Sequence, residues 1–392
     1  MFWLKLLDLF KRLGWLLAIY FVLRLAFVLL NFSQFREADL PQFLWAFVLG
    51  LRFDLAAICM VNAGFIFFSL LPFPFSETRA YQGFLKALFL IPNLPFLVLN
   101  LIDLEYFKFI GRRTSNELFT ITADIQTQTG QLFLNYWYIP LLALALLLFM
   151  VKCYPFPVKK SGAKQNQKLN FFGTLTILAL TVMLIRGGWQ LKPVRPANAF
   201  VQEPAILGHV SLNSTFTFIK SISQPVLEPK TYFSSRAEML QALAFDPEKY
   251  QTPGGKPLQE NVVLIILESF ASEYTGVLNN EPRFTPFFDS LAAQGSLYRY
   301  NYANGRKSIE ALPSLLAGLP SLLHEPYITS SFQSNEMYGI GTIARENGYH
   351  TSFYHGAANG TMGFNAFARI AGFQKYYGLN QYPRKLRNRD FD

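Results

Sequence analysis

Two short stretches hold the residues best suited to chemistry. In the first, the apolar run Asn261-Val262-Val263-Leu264-Ile265-Ile266-Leu267 ends on Glu268-Ser269. Its β-branched, two-faced apolar character predicts a buried parallel strand over 262–267. An acid at the C-terminal end of such a strand stands where open α/β sheets bind ligands, and its oxygens are hard donors suited to a divalent cation. The second stretch is Asn304-Gly305-Arg306-Lys307-Ser308-Ile309-Glu310-Ala311-Leu312-Pro313-Ser314. Here a strand over 297–302 is expected to turn into a helix beginning near Ser308. A hydroxyl at a helix start faces unpaired N–H groups and the positive end of the helix dipole, a place to hold a phosphate and attack it. Arg306 and Lys307 beside it suit an anionic substrate. The plainer alternatives are a strand-end acid for Glu268 and a helix cap for Ser308, although Ser308 with Glu310 does not form a capping box.

Leu267-Glu268-Ser269 behind a strand, and Gly305-Arg306-Lys307-Ser308 at a helix start, resemble the lipoteichoic acid synthase-like phosphoglycerol transferases of the alkaline phosphatase/sulfatase superfamily. Thr285-Pro286-Phe287-Phe288-Asp289-Ser290-Leu291 is similar to the superfamily's Thr-Pro segment leading into a helix. His355-Gly356, after Thr351-Ser352-Phe353-Tyr354, is similar to the family's substrate-pocket His-Gly. The resemblance implies that Glu268 binds a divalent metal, Mn2+ first, with Mg2+ or Zn2+ as alternatives. It implies that Ser308, where many relatives carry Thr, is both nucleophile and metal ligand, and that His355, Arg306 and Lys307 bind substrate. Residues 357–365 lack the acidic and Arg positions that the Gram-positive synthases use nearby. The superfamily's remaining metal ligands lie in C-terminal Asp-His and His motifs. This sequence has no Asp-His pair and ends at Arg389-Asp390-Phe391-Asp392, mid-domain by the family's pattern, so a truncated or partial form of a longer enzyme is expected.

Composition points to a membrane half. The chain has 392 residues, of which 51% are hydrophobic and 16% aromatic, with 40 Phe, too apolar for an ordinary soluble protein. The net charge of +10 sits largely in short loops between apolar runs, which indicates membrane topology rather than nucleic acid binding. Two cysteines, Cys59 and Cys153, imply no disulfide framework. The first apolar run is long and lacks a small-residue cleavage site, unlike a cleavable signal peptide. Five spans are expected, over 13–32, 55–73, 84–102, 138–153 and 171–185, with Pro92 and Pro95 kinking the third. Arg24 within the first span must face protein or water, and Asp54 is a candidate partner. Gly111-Arg112-Arg113-Thr114-Ser115 reads as a surface loop or a contact to lipid headgroups. Lys5, Lys11, Arg12, Arg79, Lys86, Lys152, Lys159, Lys160, Lys164 and Lys168 fall on one side, which the positive-inside rule assigns to the cytoplasm. Everything beyond Arg186 then lies outside.

The expected domains are a five-helix transmembrane domain over 1–188, an extracytoplasmic connector over 189–259 with a helix near 235–243, and the first part of a sulfatase-like catalytic domain over 260–392. Strands over 262–267, 297–302 and 350–354 alternate with helices over 286–294, 308–317 and 340–346, so a parallel sheet is expected. The fold class is thus a multi-pass α-helical membrane domain followed by an α/β sulfatase/alkaline phosphatase-like domain, incomplete in this chain. The resemblance implies transfer of a phospholipid headgroup, with phosphatidylglycerol as donor, to an envelope glycan or lipid-linked acceptor. The step passes through a covalent serine intermediate at a bacterial inner membrane, with the C-terminal domain extracytoplasmic. Three alternatives stand. A phosphoethanolamine transferase is disfavoured by the cysteine-free outer domain. A sulfatase-type hydrolase needs Cys/Ser-x-Pro-x-Arg, which Ser308-Ile309-Glu310-Ala311-Leu312 lacks. The third is a degenerate, non-catalytic membrane protein that binds lipid or envelope polymer. No nucleic acid partner is expected, and the oligomeric state stays open.

Overall fold

The computed structural model describes residues 2–71, 76–116, 135–154, 167–190, 192–222, 231–243, 260–281, 284–323 and 325–383. The basic loop with Lys159, Lys160 and Lys164, His324, and the C-terminal Arg389-Asp390-Phe391-Asp392 lie outside the described residues. The chain falls into two compact units, one of Met1–Pro225 with Ile309–Asp392 and the other of Val226–Ser308.

Long, predominantly apolar sequence produces the long helices of the first unit: α1 (Phe2–Leu30), α2 (Leu40–Val61) and, after the short α3 (Ala63–Leu70), α4 (Arg79–Ile110). At about 1.5 Å rise per residue, the 29, 22 and 32 residues of α1, α2 and α4 reach across a hydrocarbon core of roughly 30 Å. Local chemistry sets their ends. Asp39 and Gln42 close a capping box at the start of α2, with the Gln42 N–H donating to Asp39 Oδ1 at 2.9 Å and the Asp39 N–H to Gln42 Oε1 at 2.8 Å. The Thr78 hydroxyl caps α4, and Gly111, at φ 64°, ends it in the left-handed conformation that glycine adopts without strain. The helix α4 runs through Pro92 and Pro95, beside which Asn62 and Asn93 exchange side-chain amide hydrogen bonds of 3.1 and 2.7 Å.

Next come α5 (Tyr138–Lys152) and α6 (Gln167–Arg186). Among the described residues, α1, α2 and α4 are long and apolar enough to cross a membrane, whereas α5 and the stretch Asn170–Arg186 are shorter. The five expected spans therefore correspond to three helices of spanning length and two shorter apolar ones. The second span is also displaced: α2 begins at Leu40, not near 55. Arg52 and Asp54, which precede the expected span start at 55, lie inside the helix with partners, so they mark no end. Arg52 Nε donates to the Gly187 carbonyl at 2.6 Å, and Asp54 is buried against Arg24.

Two further short helices, α7 (Leu207–Ser211) and α8 (Ser214–Ser221), which fall within the expected 189–259 connector, contribute residues to the helical core. Val194, Phe200, Leu212 and Phe216 pack with Leu16, Phe53 and Phe89, and Phe53 meets Phe216 edge-on at 5.1 Å. Polar groups lock this segment in place. Arg24 pairs with Asp54 at 2.5 Å and also donates to the carbonyls of Val210, Leu212 and Gly50. Asn213, which caps α8, donates to the same Asp54 at 2.8 Å. A Cβ on Gly50 would sit 2.5 Å from Arg24 Cζ, so this close approach requires glycine. A second pair joins Arg113 to Asp103 at 3.0 Å. Arg113 Nε donates to the His209 carbonyl at 2.8 Å, and Asp103 accepts from the Thr114 N–H at 3.0 Å and the Ser214 hydroxyl at 2.6 Å. Arg112, Arg113, Thr114 and Ser115 are buried, which corrects the expectation of a surface loop.

Beyond α9 (Arg236–Leu243), the Val226–Ser308 unit holds α10 (Gly276–Asn279) and α11 (Pro286–Ala293). The helices α12 (Ser308–Ala317) and α13 (Ile340–Glu346) follow, both with the expected bounds. A β-α-β unit is then made by β1 (Ser352–Tyr354), α14 (Phe364–Ile370) and β2 (Lys375–Tyr377). The two strands pair in parallel with Phe353 opposite Tyr376, and Leu312, Leu316, Ile328, Phe367 and Tyr376 form the core around them. The expected strands over 262–267 and 297–302 are not formed. A fully buried strand needs a hydrogen-bonded neighbour on each side, and the sheet among the described residues consists of β1 and β2 alone. Val262 and Val263 are accordingly 80% and 81% exposed.

The Arg24–Asp54 pair should be expensive to break from one side. Asp54→Ala leaves a guanidinium buried in the helical core, a loss of about 3–5 kcal/mol in unfolding free energy. Arg24→Leu with Asp54→Leu should recover most of it. Denaturant unfolding of the detergent-solubilised protein measures both, and a loss below about 1 kcal/mol for Asp54→Ala, the scale of an exposed pair, contradicts the assignment.

Candidate functional site

Ser308 is the first residue of α12, half-buried, and Arg306 and Lys307 stand exposed immediately before it. The helix forms here because Leu312 and Leu316, one turn apart, both enter the core, while Glu310 lies in the first turn, where an acid complements the helix dipole. Pro313 removes one hydrogen bond within the helix but lies beyond its first turn, where helix N–H groups have no partner within the helix itself. The serine hydroxyl thus sits beside a ready anion-binding helix end with two cations next to it.

Glu268 is exposed and lies on a turn at the end of the apolar segment. The next residue, Ser269, has φ 53°. A left-handed serine costs about 1–3 kcal/mol, and such residues gather at functional sites. The Ser269 hydroxyl donates to Glu268 Oε1 at 3.4 Å, and no hydrogen bond joins Glu268 to Ser308. The Thr-Pro segment behaves as expected. Pro286 opens α11, the Thr285 hydroxyl donates to Asp289 at 3.2 Å, and Asp289 also accepts from the N–H groups of Gly276 and Val277 at 3.1 and 2.9 Å.

His355 follows directly on β1, at the C-terminal end of a parallel strand pair, where α/β folds place ligands. Its Nδ1 is 2.9 Å from the Tyr376 hydroxyl, its N–H donates to the Tyr377 carbonyl at 2.8 Å, and its ring lies 4.7 Å from that of Phe364. Burial holds the imidazole below its ordinary pKa and pushes the Tyr376 phenol up to about 12. A neutral imidazole held by a phenol offers a donor or acceptor at Nε2. Tyr376 is a functional candidate the sequence reading did not single out. Its signal was the aromatic pair Tyr376-Tyr377 in a short strand one helix after Tyr354-His355.

Glu268, Arg306, Lys307 and Ser308 belong to the Val226–Ser308 unit, and His355 belongs to the other. Among the described residues, no three His, Cys, Asp or Glu side chains group to hold a metal ion. Glu268 and Ser308 alone do not make up a complete divalent-metal site, and the chemistry derived from them is the serine's own.

The lowered pKa fixes a sign. Between its folded value and the unfolded value of about 6.5, His355 binds fewer protons folded than unfolded, so acidification through this range removes stability. NMR titration of the His355 ring should give a midpoint below about 6.5, and Tyr376→Phe should alter its tautomer signature. A midpoint at or above the unfolded value contradicts the burial.

No solved structure matches the chain. Residues 260–392 match the family model described as Sulfatase. The stretch that holds Glu268, Ser308 and His355 is therefore a sulfatase domain of the alkaline phosphatase/sulfatase superfamily, carried behind a helical region with three apolar helices of membrane-spanning length.

Proposed function

We propose that the chain is a membrane-anchored phosphotransferase that moves a phosphoglycerol headgroup from phosphatidylglycerol to a hydroxyl of an envelope glycan or lipid-linked acceptor on the outer face of the membrane. The observation that carries this reading is the position of Ser308, opening α12 directly behind Arg306 and Lys307 inside the sulfatase-matched stretch. Ser308 Oγ attacks the phosphorus, the bond to the diacylglycerol oxygen breaks, and that oxygen leaves with the serine's proton. The acceptor hydroxyl then attacks the phosphoglycerol-serine, gives up its proton and frees Ser308. Helix N–H groups and the two cations stabilise the charge that gathers on the phosphoryl oxygens. The apolar helices hold the domain beside its lipid donor. By resemblance, Glu268 is the acidic contributor to the site, where the superfamily generally employs a divalent metal, and His355 binds substrate.

A formylglycine-dependent sulfatase is disfavoured by Ile309-Glu310-Ala311-Leu312, which supplies neither the Pro nor the Arg of that motif. Phosphoethanolamine transfer uses the same nucleophile and differs in donor.

The test uses the protein expressed from its complete reading frame and a fluorescent phosphatidylglycerol. Diacylglycerol release should fall to background in Ser308→Ala and persist in part in Ser308→Thr, which keeps the hydroxyl. Loss of a helix-terminal hydroxyl costs only about 1 kcal/mol, so Ser308→Ala should remain folded. Undiminished release by Ser308→Ala overturns the mechanism.

A further inference from the structure

Residues two apart along a strand share a face, so Phe353 and His355 lie on one side of β1 and its continuation. Tyr376, paired with Phe353 across the parallel ladder, occupies that side too. It is 8% exposed, and its ring stacks on Phe353 at 5.7 Å and 10°. A phenol is long enough to pass its pairing partner and reach the next residue on the same face. The Tyr376 hydroxyl is accordingly 2.9 Å from His355 Nδ1. The imidazole is held around this contact: the His355 backbone N–H donates to the Tyr377 carbonyl at 2.8 Å, and Phe364 lies 4.7 Å from the ring.

The direction of the hydrogen bond follows from the partners that remain. Burial lowers the imidazole pKa and raises that of the phenol, so at neutral pH the ring is neutral and the phenol keeps its proton. If Nδ1–H donates, the phenol O–H is left without an acceptor, because the Tyr376 hydroxyl has no other partner among the described residues. A buried donor with no acceptor is costly. If the phenol donates, Nδ1 accepts and no donor in the pair is stranded. The single imidazole proton then sits on Nε2. His355 is half-buried, and its Nε2 has no hydrogen-bond partner among the described residues.

We infer that Tyr376 is a positioning residue that fixes His355 in the Nε2–H tautomer, so that the imidazole presents a neutral donor to an oxygen of the substrate headgroup, phosphoryl or glycerol hydroxyl. This rests on the proposed role of His355 in binding substrate. The opposite tautomer would turn a lone pair toward those oxygens. An ammonium, which has donors only, is no partner for Nε2–H.

The test uses the full chain in detergent, 15N-labelled at histidine, with glycerol phosphate, which carries the headgroup but has no diacylglycerol to release. Long-range 1H–15N NMR of wild type should show His355 as the Nε2–H tautomer, and glycerol phosphate should shift the Nε2 resonance. Tyr376→Phe keeps the ring and removes the hydroxyl: His355 should become a mixture of tautomers, and binding should weaken on the order of fivefold. His355→Gln keeps an amide N–H donor near the place of Nε2 and has no tautomer to fix. Adding Tyr376→Phe to it should change binding by less than about twofold. Equal losses in the two backgrounds would mark a packing role for Tyr376 and overturn the inference. So would an Nδ1–H tautomer in wild type, or an Nε2 resonance that does not respond to glycerol phosphate. The wild-type tautomer is read without any variant, so it decides even where Tyr376→Phe does not fold. None of these readouts requires turnover: undiminished diacylglycerol release by Ser308→Ala removes the proposed transfer and leaves the tautomer and its binding to be judged as stated.

Discussion

Two buried ion pairs hold the helical unit in its arrangement. Arg24–Asp54 and Arg113–Asp103 place four charges where burial makes each costly alone, and they persist because every partner is hydrogen-bonded further. The supplier of those further bonds is the segment that contains α7 and α8. Its carbonyls at His209, Val210 and Leu212 accept from the two arginines, and Asn213 and Ser214 donate to the two aspartates. Asn100 and Tyr20 extend the same network through Thr215 at 2.9 and 2.8 Å. The segment cannot leave without stranding both arginines, so a stretch that follows the apolar helices in sequence becomes part of their core. The position of the 111–116 turn follows from this.

The candidate catalytic residues rest on different physics. Ser308 needs only a helix start, which a few neighbouring residues can specify: cations before it, an acid in the first turn, and Leu312 and Leu316 entering a core. Glu268 needs a strand end, and a strand depends on distant neighbours. Its turn, with a left-handed Ser269, is formed while the preceding apolar residues remain exposed. His355 lies between these cases. Two parallel strands and their crossover helix, close in sequence, are enough to set it against Tyr376.

The same division explains what was legible in the sequence. The bounds of α12 and α13 and the proline start of α11 could be read because capping, proline and apolar spacing act within about a turn of helix. The Arg24–Asp54 pairing could be anticipated because a lone arginine in an apolar span demands a counter-charge. The start of α2 was missed for a related reason: Arg52 and Asp54 look like the polar edge of a span until their partners at Gly187 and Arg24 are known. Burial of Arg112-Arg113-Thr114-Ser115 could not be read locally, since Asp103, His209 and Ser331 supply the acceptors from three other parts of the chain. The strands over 262–267 and 297–302 were inferred from apolar and aromatic character, which reports a tendency to be covered but does not provide the covering strand.

The central claim is that Ser308 forms a covalent bond to a phospholipid headgroup. Its most direct test is mass spectrometry of the protein, expressed from its complete reading frame, quenched during reaction with phosphatidylglycerol and digested. The mechanism predicts a phosphoglycerol adduct on the peptide containing Ser308, absent from Ser308→Ala. An adduct of phosphoethanolamine mass when phosphatidylethanolamine is the donor would keep the nucleophile and change the substrate. An adduct on any other residue during productive turnover would contradict the account.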